Sequence, residues 1–414
     1  MAKSKTRRNL ILIVVLFVLA GGAVFSARSL RPRQLIGPEP AEIQRARLSK
    51  TENGYFLLRD AQKALKPVAV RNLVRDADFE PGPKAELLDL SVREDAEEVA
   101  EAIEGSRPIV DAVREALAMP YLLRPIDWEN DFEGEGWLVT HNPYELLSIF
   151  PRVFLVGIEE AQRGNFDEAI GIIEDYYRLA WRFTDEVGVS YTTAGKLLQM
   201  ASLVRECPVD FQDRLKERLQ ELRRNWQPPK YAFDTQLRIV AAQTPGLHYL
   251  PLLLIFDFHR KALRARPVIG ANLNELRKVS GYDLQGYKQW AGKNPELAEA
   301  AESLLIFMFS LENICHTNSR YLDCLDGMCA MIAVEQYKRD NGTYPEALSQ
   351  LVPEYLDAVP QESACNCPLT YGRDGGDYFL YMLGNGCKDQ GGQRYHSCEV
   401  LIHVPEKGEG ALRE

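Results

Sequence analysis

The chain has 414 residues, which suggests about two or three domains rather than one core. A composition of 46% hydrophobic and 26% charged residues excludes wholesale disorder and a polytopic membrane protein. The formal net charge of −10 speaks against a nucleic-acid partner, which would need clustered Lys and Arg to track phosphates.

Lys3, Lys5, Arg7 and Arg8 precede an uncharged stretch, Asn9 to Ala27, that contains the apolar run Leu10 to Ala20. At roughly 1.5 Å per residue this is about one bilayer core, so the sequence predicts one transmembrane anchor over 9–27 after a cytoplasmic basic tail, 1–8. Arg28, Arg31 and Arg33 on the far flank weaken the charge asymmetry. The competing reading is a cleaved signal peptide, with Val24-Phe25-Ser26 before Ala27 as the small-residue site. Both readings place the bulk of the chain outside the cytoplasm, in a periplasmic setting. Residues 28–45, rich in Pro between Pro32 and Pro40, read as a tether without packed structure.

Residues 46–320 carry helical signals. Ser106-Arg107-Pro108 marks a helix start, with Ile109, Val110, Val113 and Leu117 on one face and Pro120 as the stop. The acidic loop Asp127 to Glu135 departs from a calcium-binding EF-hand, because Phe132 stands where the sharp turn needs Gly and Leu138 where the bidentate Glu belongs. Asn142-Pro143 reads as a capped helix start. Ala161-Gln162-Arg163-Gly164-Asn165-Phe166-Asp167-Glu168-Ala169-Ile170 resembles the turn between the helices of one tetratricopeptide unit, which would imply a concave binding face. An irregular helical domain is the alternative, since no second copy follows at the repeat period. Leu215, Leu219, Leu222 and Trp226 define another amphipathic helix, with Asp213, Lys216, Glu217, Arg218 and Arg223 turned away from its apolar face. The apolar stretches Leu247–Phe256 and Leu304–Leu311 are too short for a bilayer and read as core helices.

Residues 321–405 read as a small α+β module, followed by a flexible tail, 406–414. A helix from about Asp323 to Asp340 should end at Asn341-Gly342, where Gly accepts positive φ, and Pro345 blocks its continuation. Leu348 and Leu351 start a short second helix that Pro353 stops, and Tyr378-Phe379-Leu380-Tyr381 alternates as a strand does. Cys324, Cys329, Cys365, Cys367, Cys387 and Cys398 fall in this region, and an exported cluster of this kind reads as disulfides. A Cys387–Cys398 bond is one candidate pairing. The rival is a structural zinc site of Cys365, Cys367, Cys387 and either Cys398 or His396.

The ordered set Tyr337, Asn341, Gly342, Tyr344, Pro345, Pro353, Tyr355, Leu356, Pro360, Pro368, Tyr371, Tyr381 and Gly384 resembles the globular head of type II secretion major pseudopilins, the general secretion pathway protein G family. The resemblance covers roughly Leu322 to Val404 and implies a helix laid on a small antiparallel sheet. It also implies a calcium loop after the last tyrosine-rich strand. Asn385 stands near one expected Asp, which leaves Asp389 as the candidate metal ligand and calcium as the one candidate cofactor. Pilins join their membrane helix directly to the head helix; here about 300 residues intervene.

The six histidines are scattered, and none sits in a metalloprotease, nucleophile-elbow or phosphate-loop context. Acidic pairs such as Glu97-Glu98 and Glu159-Glu160 read as solvated helix faces. The sequence therefore predicts a mainly α, membrane-anchored, non-enzymatic structural or interaction protein of the envelope, linked to a secretion or pilus-like assembly, with protein partners there. The alternative is an exported ligand-binding protein or enzyme with its site near His248, Asp257 and His259.

Overall fold

The computed structural model describes residues 39–65, 96–125, 146, 149–183, 207–227, 231, 233–235, 237, 264–265, 267–304, 310–384, 387, 389 and 400–403. The anchor segment, the acidic loop, Asn142-Pro143, Leu247–Phe256, most of Leu304–Leu311, His396 and Cys398 lie outside these residues. No described helix is long and apolar enough to cross a membrane.

Helix makes up 67% of the described residues, and a small antiparallel strand region lies near the C-terminal end. In chain order the helices are α1 (Ala41–Leu48), α2 (Gly54–Ala64), α3 (Ala96–Glu104), α4 (Arg107–Ala118), α5 (Ile149–Gln162), α6 (Phe166–Phe183) and α7 (Val209–Arg224). They continue as α8 (Leu273–Val279), α9 (Leu284–Lys293), α10 (Pro295–Leu304) and the 31-residue α11 (Leu311–Asn341). A 3-10 turn (Leu348–Leu351) leads to strands β1 (Gln361–Glu362), β2 (Cys367–Pro368), β3 (Thr370–Asp374), β4 (Asp377–Met382) and β5 (Val400–His403). β1 and β2 form a separate hairpin, and β3-β4-β5 form a meander, all antiparallel.

The expected tether ends early. α1 begins at Ala41, and Ile43, Ala46 and Arg47 are buried, because Arg47 is drawn inward by partners from three other segments. Its guanidinium donates to Glu39 Oε1 (2.9 Å), the Arg124 carbonyl (3.1 Å) and Thr235 Oγ1 (3.0 Å). The fully buried Asn53 caps α2 by accepting from Tyr55 N at 3.2 Å. The same side chain accepts from Leu123 N (2.9 Å) and donates to the carbonyls of Leu123 (2.6 Å) and Arg47 (3.0 Å). Next to it, Gly54 lets α2 meet α4 closely: a Cβ there would stand 2.7 Å from the Ala116 backbone carbonyl.

α4 forms as its apolar spacing predicts, with Ile109, Val110 and Val113 buried. Ser106 does not cap it, however. Its hydroxyl donates to the Ala102 carbonyl at 2.6 Å and accepts from Arg152 Nη1 at 3.2 Å. α5 and α6 fold back on each other through Arg163–Asn165, with Gly164 at φ +80°, a conformation that Gly adopts without a Cβ penalty. Ala169 is fully buried, and Phe166 packs against Phe211 of α7. Arg107 clamps Glu159 (2.7 Å) and Glu160 (2.6 Å) from across the array, so this acidic pair is an interhelix link rather than a solvated face.

The polar side of α7, turned from its apolar face as the spacing predicts, makes contacts to other segments too. Lys216 donates to Gln336 Oε1 (2.7 Å) and the Tyr355 carbonyl (2.5 Å), and Asp213 accepts from Gln336 Nε2 (2.6 Å). Arg218 pairs with Glu174 at 2.6 Å, and Arg223 pairs with Asp326.

α11 starts at Leu311, twelve residues before the expected Asp323, capped by Ser310, whose hydroxyl accepts from Asn313 N at 3.0 Å. It stops as predicted, with Gly342 at φ +76° and its N–H donating to the Lys338 carbonyl at 2.7 Å. One hydrophobic core joins α2, α4, α5, α6 and α7 to α11 from Tyr321 onward and to the strands as far as Ile402. A second core gathers Phe233, Ile269, Leu276, Leu284, Tyr287 and Trp290 around Leu311, Ile314 and Cys315. Asn318 donates to the carbonyls of Ser280 and Tyr282, both at 2.9 Å, which fixes the α8–α9 connection to α11.

Replacing Asn53 by Ala removes all four of its hydrogen bonds in a fully buried site. A loss of about 3 kcal/mol or more is expected, read as a lower urea midpoint at unchanged slope. The exposed Thr51→Ala change should stay within about 0.5 kcal/mol.

Candidate functional site

Polar and sulfur-bearing side chains converge where the middle of α11 meets the β1–β2 hairpin. Glu362 pairs directly with Cys367 in the hairpin, so the two side chains lie side by side on one face. The loop closes through Asn366 N–H to the Glu362 carbonyl at 2.8 Å, with Asn366 at φ +53°, which Asn tolerates better than most residues. Glu362 is 2% exposed, and its carboxylate accepts from Leu383 N (2.7 Å) and Gly384 N (2.5 Å). From the hairpin loop, Cys365 forms a disulfide with Cys387, 22 residues on, with the two Cα atoms 5.3 Å apart. On α11, Asp323 is 5% exposed and accepts from Ser363 N (3.0 Å) and Ser363 Oγ (2.7 Å). Helix, hairpin and the turn at 383–387 are thus tied together by two carboxylates and one covalent bond.

Electrostatics follow from burial. Asp323 is pushed up to about 7 by desolvation, which outweighs the two Ser363 hydrogen bonds that favour its ionised form; Asp326 and Glu362 push it further. Glu362 is also raised by burial, against the two backbone N–H groups and the more distant Arg320. Neither carboxylate has an ion-pair partner among the described residues. Burial, with Glu362 and Asp323, raises the Cys367 thiol as well. A Glu362 oxygen and the sulfurs of Cys365 and Cys367 all lie within 4.8 Å of one another.

Two cysteine expectations are corrected. Cys387 pairs with Cys365 rather than Cys398, because Gly384 (φ +66°) and Cys387 (φ +45°) turn the chain back toward the hairpin. Cys324 and Cys329, disulfide candidates by sequence, are thiols buried in the main core, and burial pushes both to about 12. Cys315 donates to the Val279 carbonyl at 3.2 Å. Asp389, the candidate calcium ligand, accepts from the Tyr381 hydroxyl at 2.7 Å; Asn385 lies outside the described residues. Glu362, Asp323 and Ser363 belong to none of the sequence motifs described above. The only signal in the chain was an acidic residue beside a Cys-x-Cys pair.

The other motif residues knit the module together. Tyr344 packs on Tyr378 at 4.8 Å between ring centroids, and Lys338 donates to its hydroxyl at 2.9 Å. Tyr371 donates to the Pro345 carbonyl (2.7 Å), and Asn341 donates to the Tyr337 carbonyl (2.9 Å). Tyr337 packs on Tyr355, whose hydroxyl donates to Asp340 at 3.0 Å. Leu356 is buried, Pro353 follows a cis peptide, Pro368 lies on β2, and the Pro360 carbonyl accepts from Leu369 N at 3.2 Å. They are packing and turn residues of one small body.

No family model matches the chain, and no curated protein or solved structure is significantly similar to it.

The sign of the Asp323 effect is set by its raised pKa: the folded chain holds the proton more tightly, so this contribution is full below the ordinary carboxylate range and is lost as pH rises through about 7. Wild-type stability should therefore fall between pH 5 and pH 8 relative to Asp323→Asn, by an order of 3 kcal/mol, at about 1.4 kcal/mol per pH unit up to pH 7. Urea unfolding of both proteins across that range measures it.

Proposed function

We propose that this protein is a membrane-tethered extracytoplasmic interaction protein of the bacterial envelope, without enzymatic activity of its own, serving a type II secretion or pilus-like assembly. The observation that carries this reading is the Cys365–Cys387 bridge, because structural disulfides persist in oxidising compartments. It agrees with the basic-then-apolar segment Lys3–Ala27, which reads as an export anchor. The helix α11 lying against the meander β3-β4-β5, with the tyrosine and proline pattern around it, supports the pseudopilin-head likeness.

The role fits a place beside a filament better than within one. In pilins the head helix runs straight into the membrane helix, whereas the start of α11 is buried at Leu311, Ile314 and Cys315 in the second core. The α5–α6 hairpin, with its tight reversal at Gly164, supports a tetratricopeptide-like helix pair as the second interaction element.

In-cell crosslinking of the full-length protein in its native host, followed by membrane fractionation and mass spectrometry under non-reducing conditions, tests the reading. Membrane-bound protein with the 365–387 linkage intact and envelope or secretion components attached is the expected result. Recovery in the cytosol, or of the protein alone, would sink it.

A further inference from the structure

We propose that on reduction of the Cys365–Cys387 bridge, Glu362, Cys365, Cys367 and Cys387 become a binding site for a soft divalent cation of the zinc type. The cation would then replace the disulfide as the link between the β1–β2 hairpin and the 383–387 turn. The inference rests on the geometry of this cluster and is independent of the envelope reading.

The donor atoms are already gathered. A Glu362 oxygen and the sulfurs of Cys365 and Cys367 lie within 4.8 Å of one another, and Cys387 is held in the group by its bond to Cys365. Tetrahedral zinc with bonds of about 2.3 Å to sulfur places its ligands about 3.8 Å apart, so the trio must contract by no more than about 1 Å. Reduction releases the Cys387 sulfur to move outward to the fourth corner. Three sulfur donors and one carboxylate select zinc-like cations over calcium or magnesium, which prefer all-oxygen sets.

The surroundings suit a ligand set. The Leu383 and Gly384 N–H groups hold both oxygens of Glu362, fixing the carboxylate as an outer shell does in built metal sites. The hairpin sets Glu362 opposite Cys367, so strand pairing fixes this half of the site in advance. Glu362 is buried and has no ion-pair partner among the described residues, so no protein cation competes for its carboxylate. Cys387 is exposed, which lets a reductant reach its sulfur. The zinc alternative raised by the spacing of the cysteines used Cys398 or His396; here Glu362 takes that place.

The chemistry balances with a dithiol reductant. Its thiolate attacks the Cys387 sulfur and passes through a mixed disulfide; the reductant leaves as its own disulfide, and Cys365 and Cys387 gain two electrons and two protons. Metal binding then displaces the protons of Cys365, Cys367 and Cys387 to solvent, and Glu362 binds as the carboxylate.

The test uses the purified full-length chain, reduced with a phosphine without oxygen and titrated with Co2+ as the optical probe. Sulfur-to-cobalt charge-transfer absorption should saturate at one equivalent, be bleached by one equivalent of Zn2+, and be missing from the oxidised protein. Cys367→Ser should weaken Co2+ binding at least about tenfold, and Glu362→Gln should shift the visible cobalt bands. The oxidised and reduced wild-type proteins have the same sequence, so that comparison stands even if a variant folds poorly. Absence of the band from reduced wild type, its presence in oxidised protein at the same stoichiometry, or an unchanged titration with Cys367→Ser would each overturn the proposal.

Discussion

The structure depends on the burial of α11 along almost its whole length. At about 1.5 Å per residue, 31 residues reach about 46 Å, enough to enter two hydrophobic cores in succession. Its first turn, with Leu311, Ile314 and Cys315, belongs to the core that also holds α8 and α9. From Tyr321 through Val334 it supplies Cys324, Leu325, Met328, Met331 and Ile332 to the core shared by the helical array and the strands. A helix buried this far needs cover on several sides, which the helices and the strand module supply, and partners for its buried polar groups, which Asn318 and Asp323 find in neighbouring segments.

Apolar burial provides the energy, and a few buried polar groups decide the arrangement. Exposed ion pairs such as Arg218–Glu221 contribute at most about 1 kcal/mol each. Asn53, Asn318 and Asp323 act differently. Each satisfies backbone groups from a distant segment inside a buried site, so a shifted register would leave several donors and acceptors unpaired. The interhelix contacts of α7 add to this: Arg218 reaches Glu174 of α6, and Lys216 reaches Gln336 of α11 and the Tyr355 carbonyl.

At the hairpin the same logic meets covalent chemistry. Closing a loop of 22 residues is worth about 3 kcal/mol by chain entropy, comparable to the buried carboxylate contacts beside it. The link between hairpin and turn is therefore doubled, once by the sulfurs and once by Glu362, which leaves the hairpin docked through Glu362 and Asp323 when the bridge opens.

The sequence by itself determined the features that backbone sterics and local periodicity control. The Gly342 helix end, the buried faces of α4 and α7, the reversal at Gly164 and the strand at Tyr378–Tyr381 were all legible, because each depends on residues within a turn or two of one another. The mainly α class with a small C-terminal strand region followed from the same signals. Only the tertiary structure decided which cysteine meets Cys387, that α11 begins at Leu311, that Glu159 and Glu160 face Arg107, and that Glu362 and Asp323 share one buried site. Those outcomes join residues 22 to about 50 positions apart, and spacing along the chain carries no record of a pairing that packing alone creates.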